Sequence, residues 1–176
     1  MIFAIQASNP RFQNIRNLDD ECLSEAVESV FPINAENAIL VWNHISIPIS
    51  YKYDISYMLN DILMLIDTMQ KVDIGKMTIQ WLPDTFRCNW VVEWKYDEVQ
   101  IDSQWKCTVG HLESILNKKN NISLSKMDFV SEWKEVLGVV IRGLKHCGYD
   151  NTRIKGMNEL IEQYEKIKEP GVFYKN

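Results

Sequence analysis

From Phe86 to Val109 the chain alternates apolar and polar residues almost without a break, and a period-two pattern of that length folds as paired β-strands. Phe86, Cys88, Trp90, Val92, Trp94 and Tyr96 share one face of the first strand. Val99, Ile101, Ser103, Trp105 and Cys107 share the corresponding face of the second. With a turn at Asp97-Glu98, Tyr96 lies opposite Val99, Trp94 opposite Ile101, Trp90 opposite Trp105 and Cys88 opposite Cys107. Every partner is then on the apolar face, and a one-residue slip would separate them all. The same register sets Glu93 against Asp102 on the outer face. Asp-Glu is a poor two-residue turn, so a longer loop with the same pairing is the alternative.

The flanking segments supply further strands and a set of helices. Ala38 to Ile49 reads as a strand in which Pro48 marks an edge or an end. Lys76 to Leu82 reads as another, stopped by Pro83-Asp84. Apolar spacing predicts a helix after Asn17–Asp20 with Asp19 or Asp20 as its cap, burying Leu23, Ala26, Val27 and Val30. A stronger one runs from Asp54, as N-cap, to Gln70, with Ile55, Met58, Leu59, Ile62, Leu63, Ile66 and Met69 on one face. His111 to Lys118 forms a short helix. Ser125 and Asp128 resemble a capping box before a long apolar face from Phe129 to Leu144, which Gly148 terminates. Asn158 to Lys168 forms the last helix, ended at Glu169-Pro170-Gly171. At 176 residues a chain can bury its own core, and the expected fold is one α+β domain spanning residues 1–176, an antiparallel sheet packed against helices.

Charge narrows the function classes. The formal net charge is −5, and residues 1–75 hold four Lys or Arg against ten Asp or Glu. Lys118-Lys119 is the single basic doublet, so the concentrated cationic surface of a nucleic-acid binder is missing. An acidic first half favours a basic partner. The apolar run Met1–Ala7 is too short for a signal sequence, and no stretch approaches the length of a spanning helix, which predicts a cytoplasmic protein with no membrane contact. Cys22, Cys88, Cys107 and Cys147 lack zinc spacing and read as free thiols in a reducing compartment; in an oxidising one Cys88 and Cys107 could bridge.

Catalytic chemistry has little to stand on. His44, His111 and His146 fall in no metal-binding or nucleophile pattern, and His146 best complements a helix C-terminus. Cys147 beside His146 cannot pair with it on a helix, where neighbours point ~100° apart. Two acidic groups stand out instead. One is Glu93, Asp97, Glu98 and Asp102 on the hairpin, where Lys95 could neutralise the opposed acids or a partner's cation could. The other is Glu21, Glu25 and Glu28, a stripe without interleaved bases, which is either a solvated helix face or a docking patch.

The run Ile39 to Ser56, containing Trp42-Asn43-His44-Ile45-Ser46-Ile47-Pro48-Ile49-Ser50-Tyr51-Lys52-Tyr53-Asp54, resembles the "WN-x-I-x-(I/V)-P-(I/L)-SYKYD" stretch of small bacterial immunity proteins. Thr85 to Trp90, Glu93-Trp94 and Phe129 to Leu137 (FVSEWKEVL) fit the same group, and the similarity covers roughly residues 36 to 145. Such proteins accompany polymorphic toxins, including those of contact-dependent growth inhibition. The resemblance implies a non-enzymatic toxin inhibitor that needs no cofactor and binds a cognate toxin C-terminal domain stoichiometrically. On charge grounds a basic nuclease, preferably an RNase, is the expected partner. Glu93, Asp97, Glu98, Asp102, Glu21, Glu25 and Glu28 are the expected contact residues. Tyr51 and Tyr53 are expected to be buried beside the strand–helix turn. The rival readings are a small hydrolase with His44 or His111 as general base, and a structural adaptor with a large apolar face.

Overall fold

The structure, a computed structural model, describes residues 2–168. The order of elements is β1 (Phe3–Gln6), α1 (Leu23–Val30), β2 (Ala38–Trp42), β3 (Ile45–Ile49), a π-helical turn (Tyr51–Ile55) leading into α2 (Ser56–Lys71), and β4 (Ile74–Trp81). Then come β5 (Phe86–Lys95), β6 (Glu98–Thr108), α3 (Glu113–Leu116), a short 3-10 turn, β7 (Asn121–Ser125), α4 (Lys126–Glu132), α5 (Lys134–His146) and α6 (Met157–Lys166). The fold is α+β. Among the described residues no helix is long and apolar enough to cross a membrane. The expected stop at Glu169-Pro170-Gly171 lies outside the described residues.

The strands form two antiparallel sheets, ordered β1-β2-β3 and β4-β5-β6-β7. The stretch 38–49 is therefore two strands, corrected from one. Asn43 and His44 take φ of +46° and +68°, the backbone of a tight hairpin turn in which both central residues are left-handed. Continuous alternation across Trp42 and His44 concealed that turn, because Asn-His lacks the glycine that usually announces it. Pro48 falls on β3, an edge strand, where its missing N–H costs no ladder bond.

The long hairpin forms, with a register two residues away from the expected one. Trp94 pairs with Val99, Val92 with Ile101, Trp90 with Ser103 and Cys88 with Trp105, so the turn is Tyr96-Asp97 and not Asp97-Glu98. A slip of two keeps every side chain on its face, so alternation alone cannot distinguish the two pairings. A bulge at Arg87/Cys88 sets Cys107 opposite Arg87 and turns Thr108 inward. Cys88 and Cys107 are thus not partners, and all four cysteines are free. Tyr96 leaves the apolar face for the turn.

Aromatic rings join the two sheets. Trp90 lies 4.6 Å from Trp81 and 5.2 Å from Trp42, and Trp42 lies 5.3 Å from Trp105, centroid to centroid. Phe3 on β1 touches Trp42, Trp90 and Phe129. The apolar faces expected for α1 and α2 and for the segment Phe129–Leu144 are all buried against this core. Trp133 separates α4 from α5, so the expected long helix is two. Ser125 caps α4 by accepting from the Asp128 N–H at 3.0 Å. Gly148, at φ +82°, ends α5: its N–H bonds the Lys145 carbonyl, and the N–H of Tyr149 bonds that of Leu144.

Two expected caps move. Cys22, and neither Asp19 nor Asp20, is the N-cap of α1; Asp20 instead accepts hydrogen bonds from Tyr149 and Asn17. Asp54 is not the cap of α2 either. Ser50 caps the π-turn, and Asp54 reaches back to accept from the Ser50 N–H at 2.7 Å and from the Thr85 hydroxyl at 2.5 Å. Tyr51 is buried, stacked on Phe31, and donates to the Ala7 carbonyl at 2.5 Å; Lys52 donates to the Glu28 carbonyl at 2.6 Å. The SYKYD stretch thus constructs the start of α2; Tyr53 is exposed, against the expectation that it is buried, and Ser50 and Lys52 are half-buried.

Asp54 is fully buried, and that burial raises its pKa. Between the ordinary carboxylate range and the raised native value, the folded chain holds more protons than the unfolded one, so this carboxyl makes stability fall as pH rises through that window. Chemical denaturation of wild type and Asp54→Asn across acid pH should show this component in wild type and its loss in the variant. Parallel profiles would exclude it.

Candidate functional site

Three segments converge at the hairpin tip. Tyr96 donates its N–H to the Asp73 carbonyl just before β4 at 2.6 Å, and Lys126 at the start of α4 donates its N–H to the Asp97 carbonyl at 2.7 Å. The Trp94 indole N–H bonds the Val72 carbonyl at 3.0 Å. Its ring covers Gly75, where a Cβ would stand 2.2 Å from the ring, so only glycine fits the close approach. These ties make the tip a fixed platform.

On that platform four large apolar side chains face solvent: Val72 (43% exposed), Ile74 (60%), Tyr96 (61%) and Met127 (57%). Asp73, Asp97, Glu98 and Asp128, all exposed, accompany them in the same segments, as do Lys71, Lys95 and the half-buried Lys126. Tyr96 has φ +53°, a left-handed backbone that costs an L residue about 1–2 kcal/mol and that hairpin turns normally give to glycine or asparagine. A large exposed aromatic in a strained turn gains nothing for the isolated fold. An apolar centre with a charged surround is the anatomy of a protein-docking patch.

The expected contact residues divide. Asp97 and Glu98 belong to the tip, and Glu98 accepts from the Ser123 hydroxyl at 3.3 Å. Glu93 faces Gln100 and not Asp102, and Lys76 on β4 neutralises it at 2.6 Å. Asp102 faces Val91 and accepts from the Asn121 amide at 2.7 Å. The opposed acid pair therefore does not exist, and neither an offsetting Lys95 nor a partner's cation is needed for it. Glu21, Glu25 and Glu28 are exposed around α1, yet Glu25 is engaged: its carboxylate accepts from the N–H groups of Glu21 and Cys22, which hold its pKa down. Thus the stripe is partly capping machinery.

The histidines sit in different parts of the fold. His44 is in the β2–β3 turn and His111 in the exposed turn after β6, while His146 at the end of α5 bonds Asn14 at 3.0 Å. Among the described residues no three His, Cys, Asp or Glu side chains gather as a metal site requires. Burial raises the Cys147 pKa, and its thiol donates to the Gln13 carbonyl at 2.9 Å, which opposes thiolate formation. No family model, curated protein or solved structure matches this chain.

Sequence reasoning missed Val72, Asp73, Ile74, Tyr96 and Met127 as surface features. The available signal was Tyr96 itself: with the turn moved by one position, the last aromatic of the alternating run becomes the first residue outside the ladder.

Proposed function

We propose that the chain is an immunity protein that neutralises a cognate toxin domain by stoichiometric binding, with the hairpin tip as its principal contact. The exposed Tyr96 in a left-handed turn carries this reading, because it is locally unfavourable and of use to a partner. The stretches that resemble bacterial immunity proteins support the role. The acidic groups around the tip support a basic partner, as a nuclease surface that holds phosphate would be. Such a patch can steer association and cover the toxin's substrate surface without any chemistry of its own.

Charge reversal tests the tip. In Asp97→Lys/Glu98→Lys, association with the toxin should slow roughly tenfold at low salt, and the difference should shrink as salt rises. Stopped-flow or surface-based kinetics would read both. Association rates that match wild type at every ionic strength would remove the tip as the docking surface.

A further inference from the structure

Away from the tip, a cleft of about 600 Å³ opens between α2 and α6, a volume typical of small-molecule sites. Leu63 and Met64 give it an apolar wall. Asp67 with Lys71 and Glu162 with Lys166 are already paired within it, at 2.6 and 2.5 Å. Three features are left unused. Lys155 and Glu159 line the cleft as one cation and one anion, and among the described residues neither has an ion-pair partner. Gly156, the N-cap of α6, also lines it, and no side chain caps that helix. Gln163 is only 4% exposed; its amide nitrogen donates to Asp67 at 3.1 Å, while its amide oxygen is buried without a partner. A buried acceptor without a donor is costly, and a cleft wall is where a ligand can supply one.

We propose that this cleft binds a small zwitterion of the basic amino-acid type, its carboxylate at Lys155 and the open end of α6 and its cationic end at Glu159 and Gln163. The polarity follows from the helix. Its N-terminus and Lys155 favour the anion, and the helical rise from Gly156 to Gln163 is about 10 Å along the axis. An aliphatic stem between the two charges would rest on Leu63 and Met64. The site is independent of the toxin-binding reading.

NMR titration of the full chain with L-arginine tests it, with agmatine, which keeps the guanidinium and lacks the carboxylate, as the control. Saturable shifts should concentrate at residues 155–163 and Asp67, with agmatine at least about tenfold weaker, which is the share expected of the charge-assisted contact to the carboxylate. Lys155→Ala and Gln163→Leu should each weaken arginine several-fold. Absence of saturable shifts at millimolar arginine, equal binding of agmatine, or unchanged affinity in the variants would overturn the proposal. Should Gln163→Leu fail to fold, Lys155→Ala decides, because its side chain is exposed.

Discussion

Trp90→Ala should destabilise the protein by about 3–5 kcal/mol, a large part of the ~5–15 kcal/mol that holds a domain of this kind together. Trp90 is fully buried and touches Phe3 and Trp42 of one sheet and Trp81 of its own. Removing it empties the place where the two sheets meet, and rings on both sides lose contacts that backbone pairing cannot replace. Urea unfolding should show a strongly lowered midpoint. Glu93→Ala, three positions along the same strand and on its outer face, should change stability by less than about 0.5 kcal/mol, because its ion pair with Lys76 is exposed on both sides. Similar midpoints for the two variants would mean that the sheets do not share this core.

Tyr96→Gly should separate folding from function. Glycine relieves the left-handed backbone at φ +53°, and its greater freedom in the unfolded chain takes back part of that gain, leaving the free protein more stable by about 0.5–1 kcal/mol. The same change removes the most exposed aromatic of the tip. Truncation of a central interface tyrosine costs about 2 kcal/mol or more, which is roughly thirtyfold in affinity. Thermal unfolding and toxin titration on one preparation read both effects. If stability rises and affinity is unchanged, Tyr96 is an idle strain; if both fall, it is structural.

The alternating run of the hairpin, with four turns' worth of apolar spacing in α2, made the α+β class legible, because faces are decided by periodicity and burial. Register was a different matter. Pairings two residues apart bury the same side chains, and only the backbone preference of Tyr96-Asp97 against Asp97-Glu98 separates them. Turn identity likewise hid β3, since Asn43-His44 continues the alternation while reversing the chain. Four-residue β1 and five-residue β7 carry too little pattern to be seen without partners. Asp97 and Glu98 were legible as acids near a turn. Their apolar neighbours were not, because Val72, Ile74 and Met127 reach the tip through hydrogen bonds between distant segments.

The SYKYD part of the resemblance to immunity proteins is a stretch that the structure uses for folding. Ser50, Tyr51, Lys52 and Asp54 all spend their polar groups on the entry to α2. Polar groups used in this way serve the fold whatever the chain binds, so the stretch carries no information about a partner.

Affinity capture of the tagged chain from the cell that produces it, with assay of the captured partner before and after release, tests the central claim most directly. The expected result is a basic toxin domain held one to one, inactive in the complex and active once freed, and lost when the bait carries Tyr96→Gly with Asp97→Lys. A partner that remains fully active while bound, or the recovery of no stoichiometric toxin, would contradict the immunity role.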